Sequence, residues 1–415
     1  MKKIVSFLFL FLLVISFCAC KKKAHKPIIV LKEEPIVQKT IIRFSIFGNE
    51  KRYNSIKKIV DDFEIINPDI EVEIDYWAEN YYKNLNKSII TTKMPDVVMV
   101  DNIDGFPYYE RGFLQNLNDY FVKQDDFIKS GINAFSYNDC IWGVPFFLSP
   151  SFIVYNKSIF IKNNLELPHN NWNITDFLKK AHLLNSTYVS GFGFDKKMKG
   201  WLPFLWSNGG GIIDESGCIM LDSAFSKEAL QFYSNLKNLE GVTQQDLSVS
   251  PEILFRNEKI AMMTCDYEEF LKLKNDNLPF EIEIAPFPGW KTLSSSPLSV
   301  IGLSISQKSA HKRESWRFIL YLINQDRIEK MGKSFDFLPA RNKVIEKTLS
   351  QRYSNNDVAV FNNIIQNAKP IPVCSNYSII INKIEQQLLP LFSAEKNVEE
   401  VIDENFYKIL QKYVD

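Results

Sequence analysis

The sequence is poor in the residues on which metal sites and nucleophilic relays are usually built. Its 415 residues include four histidines and six cysteines. Two cysteines lie within the first twenty residues, and the histidines form no HExxH motif or other close pair. The remaining cysteines have neither CxxC pairing nor metal-site spacing, and they are Cys140, Cys218, Cys265 and Cys374. The sequence therefore predicts no metal and no cofactor, and it leaves open whether one disulfide forms among these four.

An excess of charge of one sign is also absent, since 49 basic residues balance 49 acidic ones. Binding to a nucleic acid backbone needs a concentration of positive charge, so this function class is excluded. Nucleotide-binding loops are not indicated either. Gly191-Phe-Gly193 lacks the third glycine of a dinucleotide fingerprint, and Gly209–Gly211 lacks the Lys-Ser/Thr ending of a phosphate loop.

Long apolar runs are confined to the amino terminus. Lys2 and Lys3 precede an apolar stretch that ends at Phe17, which has the layout of a secretory signal and is too short for a stable membrane span. Cys20 follows Ala19 and resembles the modified cysteine of a bacterial lipoprotein signal. Such signals usually carry Leu at the position of Phe17, so the alternative is a plain signal-peptidase site nearby.

On the lipoprotein reading, residues 1–19 are a signal peptide and Cys20 is the lipidated first residue of the mature chain. Residues 20–39 are charged, contain two prolines and show no hydrophobic period, which predicts a tether that lifts the folded part off the membrane. The predicted location is the outer face of the cytoplasmic membrane, on the periplasmic side in a diderm. The remainder, with no second long apolar run, is predicted to be soluble and to form two or three domains.

The chain after residue 40 begins with a strand–helix–strand pattern. Residues 41–47 have the apolar run of a buried strand, a helix should follow from Glu50 with an apolar face recurring at three and four, and Asn67-Pro68 should end it. Residues 70–76 alternate as a strand with one buried face must. This order predicts a parallel βαβ unit.

A second helix is predicted near residues 81–92, followed by the wholly apolar strand Val97–Val100. Ligands in open parallel sheets bind beyond the carboxyl ends of the strands. We therefore expect Phe47, Asn49, Asp101 and Asn102 to lie at one edge and to face a ligand cleft.

Aromatic residues make up 13% of the chain and include seven tryptophans. Aromatic faces suit the C–H faces of sugar rings, with nearby carboxylates and amides taking the hydroxyls. Trp201 and Trp206 lie in a segment bounded by Gly and Pro ahead of Asn208, which we interpret as an aromatic loop; the alternative is that they fill a core. Carboxylates such as Glu50, Asp101 and Asp266 could instead form a glycosidase pair, although no acid–nucleophile context supports it.

Ten segments, in order and spacing, resemble the extracellular solute-binding proteins of ABC importers, in particular the carbohydrate-binding group that contains maltose-binding protein. They are residues 63–68, 70–72, 95–98, 112–117, 142–145, 154–157, 171–172, 208–210, 255–262 and 338–340. The resemblance extends from about Ile41 to the carboxyl terminus. The chain departs from the family at Glu258, where glycine is usual, and in residues 297–302, where a Gly-Gly pair is usual.

The resemblance implies an α/β fold of two lobes, each a mostly parallel sheet flanked by helices, with a ligand cleft between them. Chain crossings are expected near Ser149, Pro297 and Ala340. This division gives an amino-terminal lobe of residues 40–149 plus 299–339 and a carboxyl-terminal lobe of residues 150–298 plus 340–415.

The implied function is capture of a small solute, a sugar or oligosaccharide, by hinge closure and its delivery to an ABC permease, without catalysis and as a monomer. A ligand-capture subunit for sensing and a surface glycan hydrolase are the alternatives. The predicted ligand-binding residues share positions on cleft loops. They are Phe47, Asn49, Asp101, Asn102, Trp201, Trp206, Asn208, Asp266, Tyr267, Trp290 and Arg341.

Overall fold

The structure is a computed structural model that describes residues 39–121, 125–214, 217–332, 337–374 and 376–414. Residues 39–415 belong to one compact unit. The predicted signal peptide, the lipidation site Cys20 and the tether up to residue 38 lie outside the described residues. Among those described, none of the helices combines the length and the apolar character that a membrane span requires.

The main sheet contains ten strands, and a separate hairpin contains two. The strands are β1 Thr40–Ile46, β2 Ile70–Tyr76, β3 Val97–Asp101, β4 Ser136–Tyr137, β5 Cys140–Ile141, β6 Val144–Asn156, β7 Ser190–Gly193, β8 Ile260–Asp266, β9 Ile282–Ala285, β10 Ser296–Ile305, β11 Leu338–Pro339 and β12 Ala368–Pro370.

Helices cover both faces of this sheet. They are α1 Glu50–Ile66, α2 Tyr81–Ile90, α3 Phe106–Glu110, α4 Lys129–Ala134, α5 Lys157–Lys162, α6 Ile174–Leu184, α7 Met198–Ser207, α8 Ala224–Asn238, α9 Pro251–Arg256, α10 Tyr267–Asn275, α11 Lys312–Leu322, α12 Gln325–Gly332, α13 Asn342–Arg352, α14 Asn355–Gln366, α15 Tyr377–Gln387, α16 Leu389–Phe392, α17 Val398–Val401 and α18 Glu404–Gln411.

The predicted βαβ unit is confirmed. β1 and β2 pair in parallel from Thr40 opposite Ile70 to Ile46 opposite Tyr76. α1 begins after Asn49, whose side chain accepts a hydrogen bond from the backbone N–H of Arg52 over 2.9 Å. Such a cap satisfies one of the N–H groups that have no partner within a helix, and it fixes where α1 starts.

The central strand β3 is also confirmed, in a mixed sheet. Its neighbours are β1, which is parallel, and β10, which is antiparallel. The side chains of Val97, Val98, Met99 and Val100 are all fully buried. A strand covered on both faces needs apolar residues at every position, which explains the unbroken run.

The long strand β6 connects the two halves of the sheet, whose order is β2-β1-β3-β10-β6-β8-β7. Its first half pairs with β10, and its second half pairs with β8 and β9. The chain crossing expected near Ser149 falls within this one continuous strand of thirteen residues, which accommodates the prolines at 145 and 150.

Two hydrophobic core clusters lie along this sheet. The first includes Ile42, Phe44 and Leu303 and continues onto α10 and α14 through Phe270 and Phe361. The second is built from residues between 153 and 287 and from 371 to 410. The two clusters meet at β6, which contributes Phe152 and Val154 to the first and Ile153 and Tyr155 to the second, because alternate side chains point to opposite faces.

The structure differs from the sequence-based prediction around Trp201 and keeps a tight turn at Glu258. The segment around Trp201, interpreted as a loop, is the helix α7, with Pro203 inside it. Glu258, where the family usually has glycine, adopts a left-handed conformation at φ 56°. This conformation costs a residue with a side chain roughly 1 kcal/mol relative to glycine, so the turn geometry is kept and the residue is strained.

Candidate interlobe cleft

The register of β6 brings the carboxyl ends of strands from both halves to one place. Asp101, at the end of β3, is level with Ile301 of β10, which pairs with Phe147 of β6. Asp266, at the end of β8, pairs with Ser151. β3 has the same direction as β6, and β8 has the opposite direction. The two strands therefore approach the stretch of β6 between Phe147 and Ser151 from opposite ends. Along the strand direction the two carboxylate-bearing positions are offset by four residues of β6, about 13 Å at ~3.3 Å per residue, and across the sheet β10 and β6 lie between β3 and β8.

The edge that belongs to the first half is aromatic. The Phe47 ring lies 5.0 Å from that of Tyr81, which is 5.4 Å from Trp77 and 5.2 Å from Tyr82. Phe47, Trp77 and Tyr82 are half-buried, so each keeps some exposed ring surface. The guanidinium of Arg52 lies 5.6 Å from the centre of the Phe47 ring. This edge therefore provides apolar platforms next to a cation.

Asp101 is held by three donors. Its carboxylate accepts hydrogen bonds from the Tyr82 hydroxyl and from the backbone N–H groups of Ile103 and Asp104, the latter two over 2.9 and 2.8 Å. Burial raises the pKa of this carboxyl and the charge of Asp104 adds to the effect, while the hydrogen bonds oppose it. The bonds from Ile103 and Asp104 shape the loop after β3, so Asp101 positions the residues that follow it.

Asn102 and Asn49 have structural contacts of their own. Asn102 is fully buried, and it exchanges two 3.0 Å hydrogen bonds with the backbone of Val300 through its N–H and its side-chain carbonyl. Asn49 is exposed and caps α1. Asn102 thus joins the end of β3 to β10 through hydrogen bonds. It lies at the predicted edge, and its contacts give it a structural role in the sheet.

The edge of the second half is charged. Asp195 follows β7, Asp266 ends β8, and Lys199 at the start of α7 lies between them, with its ammonium 2.5 Å from Glu269 and 3.9 Å from Asp195. Burial acts against the charged form of Lys199, but the carboxylates around it raise its pKa. Together, the three carboxylates of Asp195, Asp266 and Glu269 and the one ammonium of Lys199 carry more negative than positive charge.

Asp266 is the most perturbed carboxyl of this group. It caps α10 by accepting the N–H of Glu269 over 2.9 Å. Burial raises its pKa to about 6, and the charge of Glu269 contributes, whereas the helix N–H and Lys199 act in the opposite direction. A carboxyl with this pKa at a strand end is a feature often associated with functional sites.

Four of the other predicted residues do not join Asp101 or Asp266. Trp201 and Asn208 are fully buried in the second half, whereas Trp206 and Trp290 are half-buried. Trp206 lies about 10 Å further along α7 than Lys199, at 1.5 Å per residue. Its carbonyl accepts from the hydroxyl of Thr292 over 2.9 Å. This end of α7 belongs to a separate group with Trp290, whose ring contacts Phe232 at 4.9 Å.

Tyr267 and Arg341 are also engaged elsewhere. Tyr267 is fully buried, with its hydroxyl 3.0 Å from that of Tyr353. Arg341 donates to the Asp126 carboxylate over 2.8 Å and to the Ile323 carbonyl over 2.7 Å. Both side chains therefore hold elements together.

One contact across the cleft was missed at the sequence level. The carboxylate of Asp104, in the loop after β3, is 3.0 Å from the hydroxyl of Ser378 in α15. The preceding residue, Ile103, packs against the second core cluster, to which α15 belongs. Proximity to Asp101 was the only sequence signal for Asp104. Ser378, like Lys199, carries no local signal, because its position depends on how distant elements pack.

The family of the chain follows from a comparison with known proteins. Residues 48–326 match the family of bacterial extracellular solute-binding proteins. The match covers most of the chain and includes both edges described above except for Phe47. The chain belongs to this family, and the predicted two-lobed periplasmic-binding-protein fold is confirmed.

Individual relatives are distant in sequence and close in fold. A binding protein of Brucella abortus is 23% identical over 343 residues, which cover 79% of this chain and 81% of the relative. A multiple sugar-binding protein of Streptococcus mutans is 24% identical over 312 residues, covering 68% and 71%. An ABC substrate-binding protein from Listeria monocytogenes, solved with cycloalternan, superposes with a TM-score of 0.76 at 24% identity, covering 90% of this chain and 98% of that one.

Proposed function

We propose that this protein captures a small carbohydrate between its two lobes and delivers it to an ABC permease. The observation that carries the proposal is the meeting of two strand-end edges along β6, one aromatic and one rich in carboxylates. Aromatic faces bind the apolar sides of sugar rings, and charged acceptors bind their hydroxyl groups. The sugar-binding and cycloalternan-bound relatives support this ligand class.

Capture works as a shift between open and closed lobes. A solute that touches both edges gains its full set of contacts only when the lobes are closed, so it stabilises the closed state by its differential affinity. The hydrogen bond between Asp104 and Ser378 joins the two sides and adds to the same state. The permease then recognises the closed, loaded form.

The residues that we assign to the solute are those whose side chains are at least partly exposed at the two edges. They are Phe47, Trp77 and Tyr82 on the first edge, and Asp195, Lys199, Asp266 and Glu269 on the second. Asp101 and Asn102 act by shaping the loop that carries Asp104. Trp206 and Trp290 would bind only a ligand long enough to reach along α7.

The lobes and the membrane anchor complete the proposal. The lobe boundaries are those predicted from the sequence; α13, which they place in the carboxyl-terminal lobe, packs on α12 and β11 of the amino-terminal lobe. Lipidation of Cys20 holds the monomer at the outer face of the cytoplasmic membrane. Replacing Cys20 with Ser should release the protein from the membrane fraction or leave its precursor unprocessed; unchanged membrane retention and unchanged mass would contradict the anchor.

A thermal-shift screen tests the ligand class. Mono- and oligosaccharides, amino acids, polyamines and phosphate esters are added to the purified protein, and a carbohydrate should raise the melting temperature, since a ligand bound only by the folded form stabilises it. Mass spectrometry over several hours should then recover the bound sugar chemically unchanged. A shift produced by another class alone would refute the sugar assignment, and turnover of the sugar would favour a hydrolase.

A further inference from the structure

A cavity lies at the other end of β1 and β3, away from the candidate cleft. Its volume is about 300 Å³, and it opens where β1 and β3 begin and where β10 ends. Ile41 lines it, six residues before Phe47 on the same chain segment. At ~3.3 Å per residue this places the cavity about 20 Å from the candidate cleft. A ligand bound here would not be the solute held between the lobes.

Part of the wall of the cavity is apolar. This part is formed by Ile41, Ile89, Met94 and Phe113. Ile89, Met94 and Phe113 are half-buried and pack against the first core cluster on one side. Ile41 is 47% exposed even though it belongs to a strand. Apolar surface of this kind gains free energy when a ligand covers it.

The acidic side chain in the wall, Asp96, is held by hydrogen bonds. Asp96 accepts a hydrogen bond from the backbone N–H of Arg43 over 2.9 Å on one oxygen and from the Ser309 hydroxyl over 2.5 Å on the other. The Arg43 guanidinium is paired with Asp75 at 2.6 Å. The Arg43 guanidinium also donates to the Lys93 carbonyl over 2.6 Å, so all three side chains are engaged in contacts that hold the wall in shape. They comprise two carboxylates and one guanidinium, so the positive charge that would attract an anion has to come from other residues of the lining.

Two basic side chains, Lys308 and His311, also line the cavity. Within the described residues, neither the ammonium of Lys308 nor the ring of His311 forms an ion pair or a hydrogen bond. Lys308 is exposed and His311 half-buried. Lys308 carries a positive charge, and His311 has at least one ring N–H to donate even when neutral. Both groups complement the anionic group of a ligand in the cavity.

We propose that this cavity is a second ligand site, which takes a small amphiphilic carboxylate. The alkyl or aryl group would lie against Met94 and Phe113, and the carboxylate would meet Lys308 and His311. Apolar walls with a few convergent polar groups are the usual pattern of small-molecule sites, and 300 Å³ is at the lower end of their size. At the ~30 Å³ that a water molecule occupies in the liquid, this volume accommodates about ten non-hydrogen atoms.

Isothermal titration of the purified protein with octanoate tests the site, with octanol and octylammonium as probes of equal chain length. We expect one site per chain, octanoate bound at least threefold more tightly than octanol, and octylammonium bound most weakly. Lys308→Glu should weaken octanoate binding at least threefold, whereas Lys51→Glu, an exposed lysine on α1, should leave it unchanged.

A variant that fills the cavity tests the location. Met94→Trp should abolish octanoate binding, and circular dichroism should show that this variant is folded. If it does not fold, the binding measured for the surface variant Lys308→Glu tests the location instead. No octanoate binding by the unmodified protein, equal binding of octanoate and octylammonium, or binding that survives both variants would overturn the proposal.

Discussion

Trp201→Ala should lower the free energy of unfolding by about 3–5 kcal/mol. The Trp201 side chain is fully buried within the second core cluster, on a helix whose residues from Gly200 to Leu205 are all buried. Truncating a large buried aromatic residue loses its transfer free energy and leaves a cavity. Urea denaturation followed by circular dichroism measures the change.

Trp206→Ala is the matched control, because Trp206 lies on the same helix and is half-buried. It should lower the free energy of unfolding by about 1–2 kcal/mol, since less apolar area of Trp206 than of Trp201 is buried in the folded protein. The comparison also decides between the two interpretations of the tryptophan segment. If Trp201→Ala proved nearly as stable as the unmodified protein and lost sugar binding, the side chain would belong to an aromatic platform and its placement in the core would be wrong.

Asp266→Asn should raise the free energy of unfolding at pH 7 by about 1–2 kcal/mol. Burial raises the pKa of Asp266 to about 6 in the folded state, whereas an unfolded aspartate titrates near 4. Ionisation at pH 7 therefore costs the folded state free energy. Asparagine avoids this cost and still caps α10, although it loses the favourable interaction of a charge with the helix N-terminus.

The pH dependence gives the sign of the effect. A carboxyl whose folded pKa is raised contributes stability at low pH that is lost as the pH rises from about 4 through about 6. The gain from Asp266→Asn should therefore be larger at pH 7 than at pH 4. Asp403→Asn, at the exposed cap of α18, is the control and should change stability little at either pH. An equal gain at both pH values would rule out titration of Asp266 as the cause.

The elements with a clear hydrophobic period could be predicted from the sequence. β2 was predicted with the bounds that the structure has, because its residues alternate and one face is buried. α1 was predicted because its apolar face recurs at three and four and because Asn49 and Asn67 mark its ends. In these segments the local pattern and the tertiary environment agree.

The helix α7 could not be predicted in this way. It is buried on nearly all sides, so it has no polar face and no amphipathic period, and it contains Pro203. Both features favour a loop when only the sequence is considered. Tertiary packing overrides them.

The candidate site could be predicted in its position and not in its details. The rule that ligands bind at the carboxyl ends of parallel strands located Asp101, and the family resemblance indicated Asp266; the strands that end at these residues are level with the same stretch of β6. The rule does not reveal which side chains are already occupied. Asn102 is bonded to Val300 and Arg341 to Asp126, whereas Lys199 lies at the site through contacts between distant segments.

Small-angle X-ray scattering of the protein, with and without a sugar identified by the thermal-shift screen, tests the central claim most directly. Saturation at one sugar per chain should reduce the radius of gyration, because the bound solute favours closed lobes, and the sugar should be recovered intact. Asp104→Ala should shift the equilibrium towards the open form and require more sugar for the same reduction. Stoichiometric binding with no change in the radius of gyration, or conversion of the sugar into products, would contradict capture by lobe closure.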